Sequence, residues 1–290
     1  MTTRTIRLGG LQASLFGNQQ RGGVELSWRY RANARVYEEL LPDPAPAAPP
    51  TASLAERIAA HGWYHSLELA PGQITPGFFD HNPLLPLYRL PARLDGQRVL
   101  DIATFDGFWA FEFEKRGAAE VIALDVPTLG DIDLPPHRRA DMSAAKLAEP
   151  MGAGFDLARE ALGSSVRRER CNVYDLTPER FGMFDTTHLG DVLLHLRDPM
   201  KALWNMRRVT RGSAYISDCF NPDLDRHEEV ALMEYRRGAG HNVWWRFGAN
   251  TLRAMIEDAG FARVEEVARF RYGPRGEPQT MWHIVFRATV

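Results

Sequence analysis

Val99-Leu100-Asp101-Ile102-Ala103-Thr104-Phe105-Asp106-Gly107-Phe108 is the stretch whose reading decides the fold. It starts as an apolar run of strand character, Gln97 to Ile102, and turns through a single glycine. It then enters a segment, Gly107 to Arg116, whose apolar residues recur at helical spacing. The alternation continues downstream. Strands are expected at Glu120–Asp125, Arg170–Tyr174, Met183–Leu189 and Ser213–Asp218, and a helix at Pro199–Val209. A mixed stretch, Thr128 to Ser165, carries one helical pattern near Phe155–Leu162. A helix at Asn250–Ala259 stops at Gly260, and two last strands, Arg263–Phe270 and Thr280–Ala288, are read as a hairpin closing one edge. Strands alternating with helices predict an α/β fold with a doubly wound, mostly parallel sheet.

In open sheets of this kind the ligand sits beyond the carboxyl ends of the strands. The turn after the first strand lacks the G-x-G-x-x-G of dinucleotide folds, and no G-x-x-x-x-G-K-[ST] string occurs in the chain. Both phosphate-binding readings are therefore weak. What remains is Asp101 in the first strand, the turn Ala103-Thr104-Phe105-Asp106-Gly107, and Asp125 at the end of the second strand. An acid in the second position accepts a ribose diol. Asp101 can order the turn or, through water, hold a cationic amino group. A ligand with a ribose, an ammonium and no phosphate is S-adenosylmethionine (SAM). The plainer alternative is that both acids cap neighbouring helices.

These residues resemble motif I of the class I SAM-dependent methyltransferases, V-L-D-x-G-x-x-x-G, with Ala103 where the first glycine usually stands. Ala123-Leu124-Asp125 resembles the motif II acid. Gly190-Asp191-Val192-Leu193-Leu194-His195-Leu196-Arg197-Asp198-Pro199 resembles a stretch of the tRNA wobble-uridine methyltransferase-like family. So do Trp63-Tyr64-His65-Ser66 with Thr75-Pro76-Gly77-Phe78-Phe79-Asp80, and Asn242-Val243-Trp244-Trp245 leading into the next helix. The resemblance spans roughly residues 60–288. It implies a Rossmann-like class I methyltransferase sheet with a terminal antiparallel strand, preceded here by an N-terminal extension. Cofactor contacts are implied at Asp101, Ala103, Thr104, Phe105, Gly107, Asp125, Val126, Asn172, Val173 and Gly190, with the adenine near Asn172-Val173. The carboxymethyltransferases of that family place a tyrosine before the motif histidine, where this chain has Leu194. A leucine offers no hydrogen bond to a carboxylate, so ordinary SAM rather than carboxy-SAM is expected.

Methyl transfer is largely a matter of positioning, and a base is needed only for an acceptor proton of high pKa. His241, His195 and Asp191 are the candidates for that work. His195 is equally readable as a histidine bonded to backbone, and Asp191 as a turn cap. Trp244 and Trp245 offer an aromatic wall for a sulfonium or an acceptor, with plain core packing as the alternative. His188 is expected in the core, and Cys171 and Cys219 as buried fillers. Arg167-Arg168-Glu169-Arg170 is read as a solvated charge run. No metal is expected.

Composition bounds the partners. The 290 residues carry 35 Lys+Arg against 37 Asp+Glu, a net charge of -2, which lacks the basic excess of proteins that coat nucleic acid. The expected partner is therefore a small-molecule acceptor, with an RNA-modifying enzyme and a non-catalytic SAM-binding protein as the rivals. The run Pro42 to Pro50 is a spacer, dividing an extension (1–50) from the main domain (51–290). Trp28 to Leu41 mixes arginine with aromatics; it reads as an amphipathic helix or as an RNA-facing surface. No signal peptide or apolar run of membrane length is present, so a cytoplasmic location is expected, and a homodimer stays open.

Overall fold

In a computed structural model of the chain, the described residues are 2–8, 11–17, 22–28, 52–226, 229–238, 242–277 and 280–290. The chain divides into two compact units, Met1–Leu40 and Leu41–Val290. In the first, β1 (Thr2–Leu8), β2 (Leu11–Gly17) and β3 (Gly22–Trp28) form an antiparallel meander, with Thr2 opposite Gly17 and Leu11 opposite Trp28. Sequence reading has no strand here. Trp28 ends β3 instead of opening a helix, and the remainder of that expected helix and the proline spacer lie outside the described residues.

The second unit opens with a helix, Leu54–Ala59, closed by a Ser53/Glu56 capping box. A two-strand ribbon follows, β4 (Glu68–Ala70) and β5 (Gln73–Ile74). The main sheet holds β6 (Arg98–Ile102), β7 (Glu120–Asp125), β8 (Arg167–Arg170), β9 (Phe184–Gly190), β10 (Thr210–Phe220), β11 (Met233–Gly238), β12 (Val243–Phe247), β13 (Arg263–Tyr272) and β14 (Met281–Thr289). Strands β8, β7, β6, β9 and β10 lie side by side and parallel. β14 runs antiparallel between β10 and β13, so β13 is the outer member of the last hairpin. The β11–β12 hairpin joins β10 through the pair Phe220 and Phe247.

The sheet is buried on both faces, and the period-two alternation of strand side chains shows it. Leu100, Ile102, Ile122, Leu124, Ile216 and Phe286 face one apolar cluster. The intervening Val99, Val121, Ala123, Tyr215 and Val285 face the other. The helix Pro199–Val209, with Asp198 as its N-cap, packs on the first side, and Phe108–Lys115 and Ala153–Leu162 pack on the second.

Several expectations need correction. The third strand is Arg167–Arg170, three residues earlier than expected, because Cys171 N–H turns back to Asp125 O and Asn172 caps a tight 3-10 turn, Val173–Asp175. The charge run is therefore the outer strand β8, and its arginines suit an edge that must not pair further. Within it Arg168 is half-buried, with Nε and Nη2 enclosed. Trp244 and Trp245 sit on a strand that sequence reading missed. Among the described residues no helix is long and apolar enough to cross a membrane.

Candidate active site

The turn after β6 has a strained backbone. Ala103 and Phe105 have φ of 58° and 50°, and Gly107 has 91°, in a region that costs a residue with a Cβ about 1–2 kcal/mol. Only Gly107 lacks that cost, and it is also required by packing. A Cβ there would come within 2.5 Å of the Phe111 ring and 2.7 Å of the Phe155 ring. The strain is held by Asp125: Phe105 N–H donates to its Oδ2 (2.9 Å) and Val126 N–H to its Oδ1 (2.7 Å). Burial lifts the Asp125 carboxyl to about 6, against the pull of these two amides and of the Arg168 charge.

Asp106, quoted in the motif but given no role from sequence, is a clamp. Its buried Oδ2 accepts from Tyr64 N–H (2.6 Å) and His65 N–H (2.7 Å). This fastens residues 63–66 to the cofactor turn, with the Tyr64 and Phe105 rings 5.3 Å apart. Gly77 lets the second quoted block lie directly on the first, since a Cβ there would be 2.0 Å from the His65 carbonyl carbon.

Asp101 does not cap a helix. Its Oδ1 lies 2.8 Å from His188 Nδ1 in the buried pair of β6 and β9, which bears out the core placement of His188. Asp101 Oδ2, Thr104 Oγ1, Ser217 Oγ and His188 Nε2 are enclosed without a partner among the described residues. Gly190 lies against two of these groups; a Cβ on it would be 3.0 Å from the His188 ring and 3.1 Å from Ser217 Oγ. The buried cluster continues through Trp109, whose ring is 4.9 Å from His188 and 5.5 Å from His81. His81 is only 1% exposed and neither ring nitrogen has a partner among the described residues. Burial drives its pKa well below the usual histidine value, so the ring is neutral.

On the far side of His81 stands Tyr272, its ring 5.2 Å away, and its hydroxyl donates to Asp191 Oδ2 (2.6 Å). Asp191 has a φ of 54°. Cys219 Sγ lies 3.8 Å and His283 Nδ1 3.3 Å from its Oδ1. Cys219 is thus half-buried in a polar cluster, a correction to its reading as an apolar filler; Cys171 is buried as expected. Neighbouring Asp218 is raised well above the ordinary carboxylate value by burial and by the Asp191 charge.

His195 is half-buried, with Nδ1 3.1 Å from Asn242 O. Burial lowers its pKa. His241 lies outside the described residues. The indole N–H groups of Trp244 and Trp245 donate to Asp133 O (2.7 Å) and Leu196 O (2.9 Å). Asp133 is a hub that sequence reading missed. Its carboxylate also accepts from Arg197 and from the Tyr174 hydroxyl (2.5 Å). Asn172 uses its side chain on Tyr174 N–H and Asp131 O, and Val173 is buried beneath that turn.

A sheet with its first turn shaped in this way, an acid ending the second strand, and β14 inserted antiparallel between β10 and β13 point to one family. Residues 28–266 match the family model described as a methyltransferase domain. The chain belongs to that methyltransferase family. It is a SAM-dependent class I methyltransferase. Among solved structures it is similar to the N-terminal domain of EvdMO1 with S-adenosylhomocysteine (SAH) bound, at 18% identity and a TM-score of 0.53, over 81% of this chain and 94% of that one. It also matches a Burkholderia thailandensis 1,6-didemethyltoxoflavin-N1-methyltransferase, at 19% identity and a TM-score of 0.44, over 67% and 71%. No curated protein is similar in sequence.

Of the expected site residues, the structure brings Asp101, Ala103, Thr104, Phe105, Gly107, Asp125, Val126 and Gly190 to the carboxyl ends of β6, β7 and β9. The buried cluster residues His65, His81, Tyr272 and His283 had no assigned role. His65 lies inside the first quoted block and His81 directly follows the second, but the last two come from the final strands and carry no local signal.

Proposed function

We propose that this methyltransferase acts on a small molecule, at oxygen or nitrogen. One observation carries the reading: Asp101 Oδ2, Thr104 Oγ1, Ser217 Oγ and the ring nitrogens of His81 are buried among aromatic rings without a partner among the described residues. An enclosed donor without a partner costs about 1–3 kcal/mol, which a bound polar acceptor relieves.

The residues present fit SAM. Asp125, fixed by two amides, can receive the ribose hydroxyls; Asp101 Oδ2 and Thr104 Oγ1, without a partner among the described residues, can meet the amino-acid end. Val126, Asn172 and Val173 would border the adenine. When bound, SAM supplies an electrophilic methyl group. His195 with Nδ1–H on Asn242 O presents Nε2 as the free lone pair, ready to take a proton from a hydroxyl or ammonium. Trp244 and Trp245 have committed their ring N–H groups, so they would serve as walls and not as hydrogen-bond donors. Leu194 packs partly buried on the core, which supports SAM over carboxy-SAM.

The net charge of -2 supports a small acceptor over RNA. The test is SAH formation across a panel of hydroxylated and aminated small molecules, run beside transfer RNA. Turnover on a small acceptor is the expected result. Turnover on RNA alone, or tight SAM binding with no turnover on any acceptor, would reverse the assignment.

A further inference from the structure

Three ligand-bearing side chains converge at the carboxyl ends of β9 and β10: Asp191, Cys219 and His283. Cys219 and His283 are direct partners across antiparallel β10 and β14, so their side chains leave the same face of the sheet. Asp191 arrives from the turn after β9, its left-handed backbone held by its N–H on Ser217 O (2.9 Å). Backbone strain persists where the surroundings over-determine it, and such places gather at ligand clamps.

The distances form a triangle: 3.3 Å from Asp191 Oδ1 to His283 Nδ1, 3.8 Å from Cys219 Sγ to Asp191 Oδ1, and 3.8 Å from Cys219 Sγ to His283 Nδ1. A tetrahedral zinc ion bonded at about 2.0 Å to oxygen, about 2.05 Å to nitrogen and about 2.3 Å to sulfur would set these edges at about 3.3, 3.5 and 3.6 Å. The observed triangle is the same figure, opened by about 0.2–0.3 Å at the sulfur.

The outer atoms of two ligands are already held. Tyr88 Oη lies 3.3 Å from His283 Nε2, and Tyr272 donates to Asp191 Oδ2 (2.6 Å). With Nε2–H directed at Tyr88, the Nδ1 lone pair faces Asp191 and Cys219. Partners of this kind orient the ligands of metal sites. A thiolate with an imidazole selects zinc over magnesium or calcium.

We propose that Asp191 Oδ1, Cys219 Sγ and His283 Nδ1 bind one divalent ion of the zinc class and leave its fourth position to an exogenous oxygen or nitrogen ligand. Three protein ligands and an open position are the pattern of catalytic zinc. The metal site stands on these residues alone. That the fourth ligand is the acceptor's own hydroxyl or amine rests on the small-molecule reading above.

The test uses the full chain, stripped with a chelator and titrated with Zn2+ and separately with Co2+. One equivalent is expected, with a thiolate-to-cobalt charge-transfer band. Cys219→Ser should abolish that band and weaken Zn2+ binding by at least about tenfold, while Cys171→Ser keeps both. His283→Gln, of similar volume, should weaken Zn2+ binding likewise, and SAM binding by calorimetry reports that each variant folds. A folded, SAM-binding wild-type chain that takes up neither ion at micromolar concentration overturns the site. So does a charge-transfer band that survives Cys219→Ser. Stoichiometric metal in a chain that methylates no small acceptor supports the site and counts against the acceptor reading.

Discussion

Asp125 is where the chemistry of one residue decides most. Its carboxyl is raised to about 6 by burial. A raised carboxyl in the folded state means that the native chain holds a proton the unfolded chain has lost. This group's contribution to stability therefore declines as pH rises from its ordinary value toward about 6, and the full cost of the buried charge is present above that. The ribose diol prefers the ionised form, so SAM affinity should rise between pH 5 and pH 7. Calorimetric titration across that range should show the rise in the wild-type chain and a flat profile in Asp125→Asn. Asp125→Ala should weaken SAM by at least about tenfold, the loss of one charge-assisted hydrogen bond; an unchanged affinity would remove Asp125 from the ribose. Single-turnover kinetics address the base. One of His195→Ala and His241→Ala should lower kcat by about a hundredfold or more with SAM affinity within about threefold. If neither does, the base is an acid such as Asp191, or there is none and catalysis is by proximity.

Elements are joined here by single residues. Asp106 ties residues 63–66 to the cofactor turn through two amides. Asp106→Ala leaves a buried and a half-buried donor unpaired and should cost roughly 2–4 kcal/mol. Hydrogen exchange at the Tyr64 and His65 amides should accelerate before global unfolding; equal protection in the variant would show that the clamp is idle. Gly107→Ala meets two aromatic rings and a left-handed backbone at once. It should destabilise by about 2–4 kcal/mol, read as a fall in thermal midpoint. Cofactor competition tests the element that follows β9: the chain should prefer SAM to carboxy-SAM because Leu194 stands where a phenol would be needed. Stronger binding of carboxy-SAM would mean that another group meets its carboxylate.

At the scale of the whole molecule, the main unit carries two apolar clusters of its own, one on each face of the sheet. A chain beginning at Ala52 should therefore melt cooperatively and bind SAM within about threefold of the full chain; loss of cooperative melting would show that the N-terminal strands complete the fold. The alternating pattern and the Val99–Phe108 turn determined the doubly wound sheet, because periodicity and turn chemistry are local and survive in one dimension. They also marked Asp101 and Asp125, since the ends of neighbouring parallel strands must come together. The β11–β12 hairpin was not legible, because its residues between 231 and 248 carry no clear alternation and its strand order depends on one contact with β10. Nor was the buried cluster around His81. His81, Asp191, Tyr272 and His283 are separated by up to about two hundred positions, and only the insertion of β14 between β10 and β13 sets Cys219 opposite His283. Local propensity reports what a segment becomes, whereas which side chains meet depends on strand order and register, and those are set by burial of the sheet as a whole.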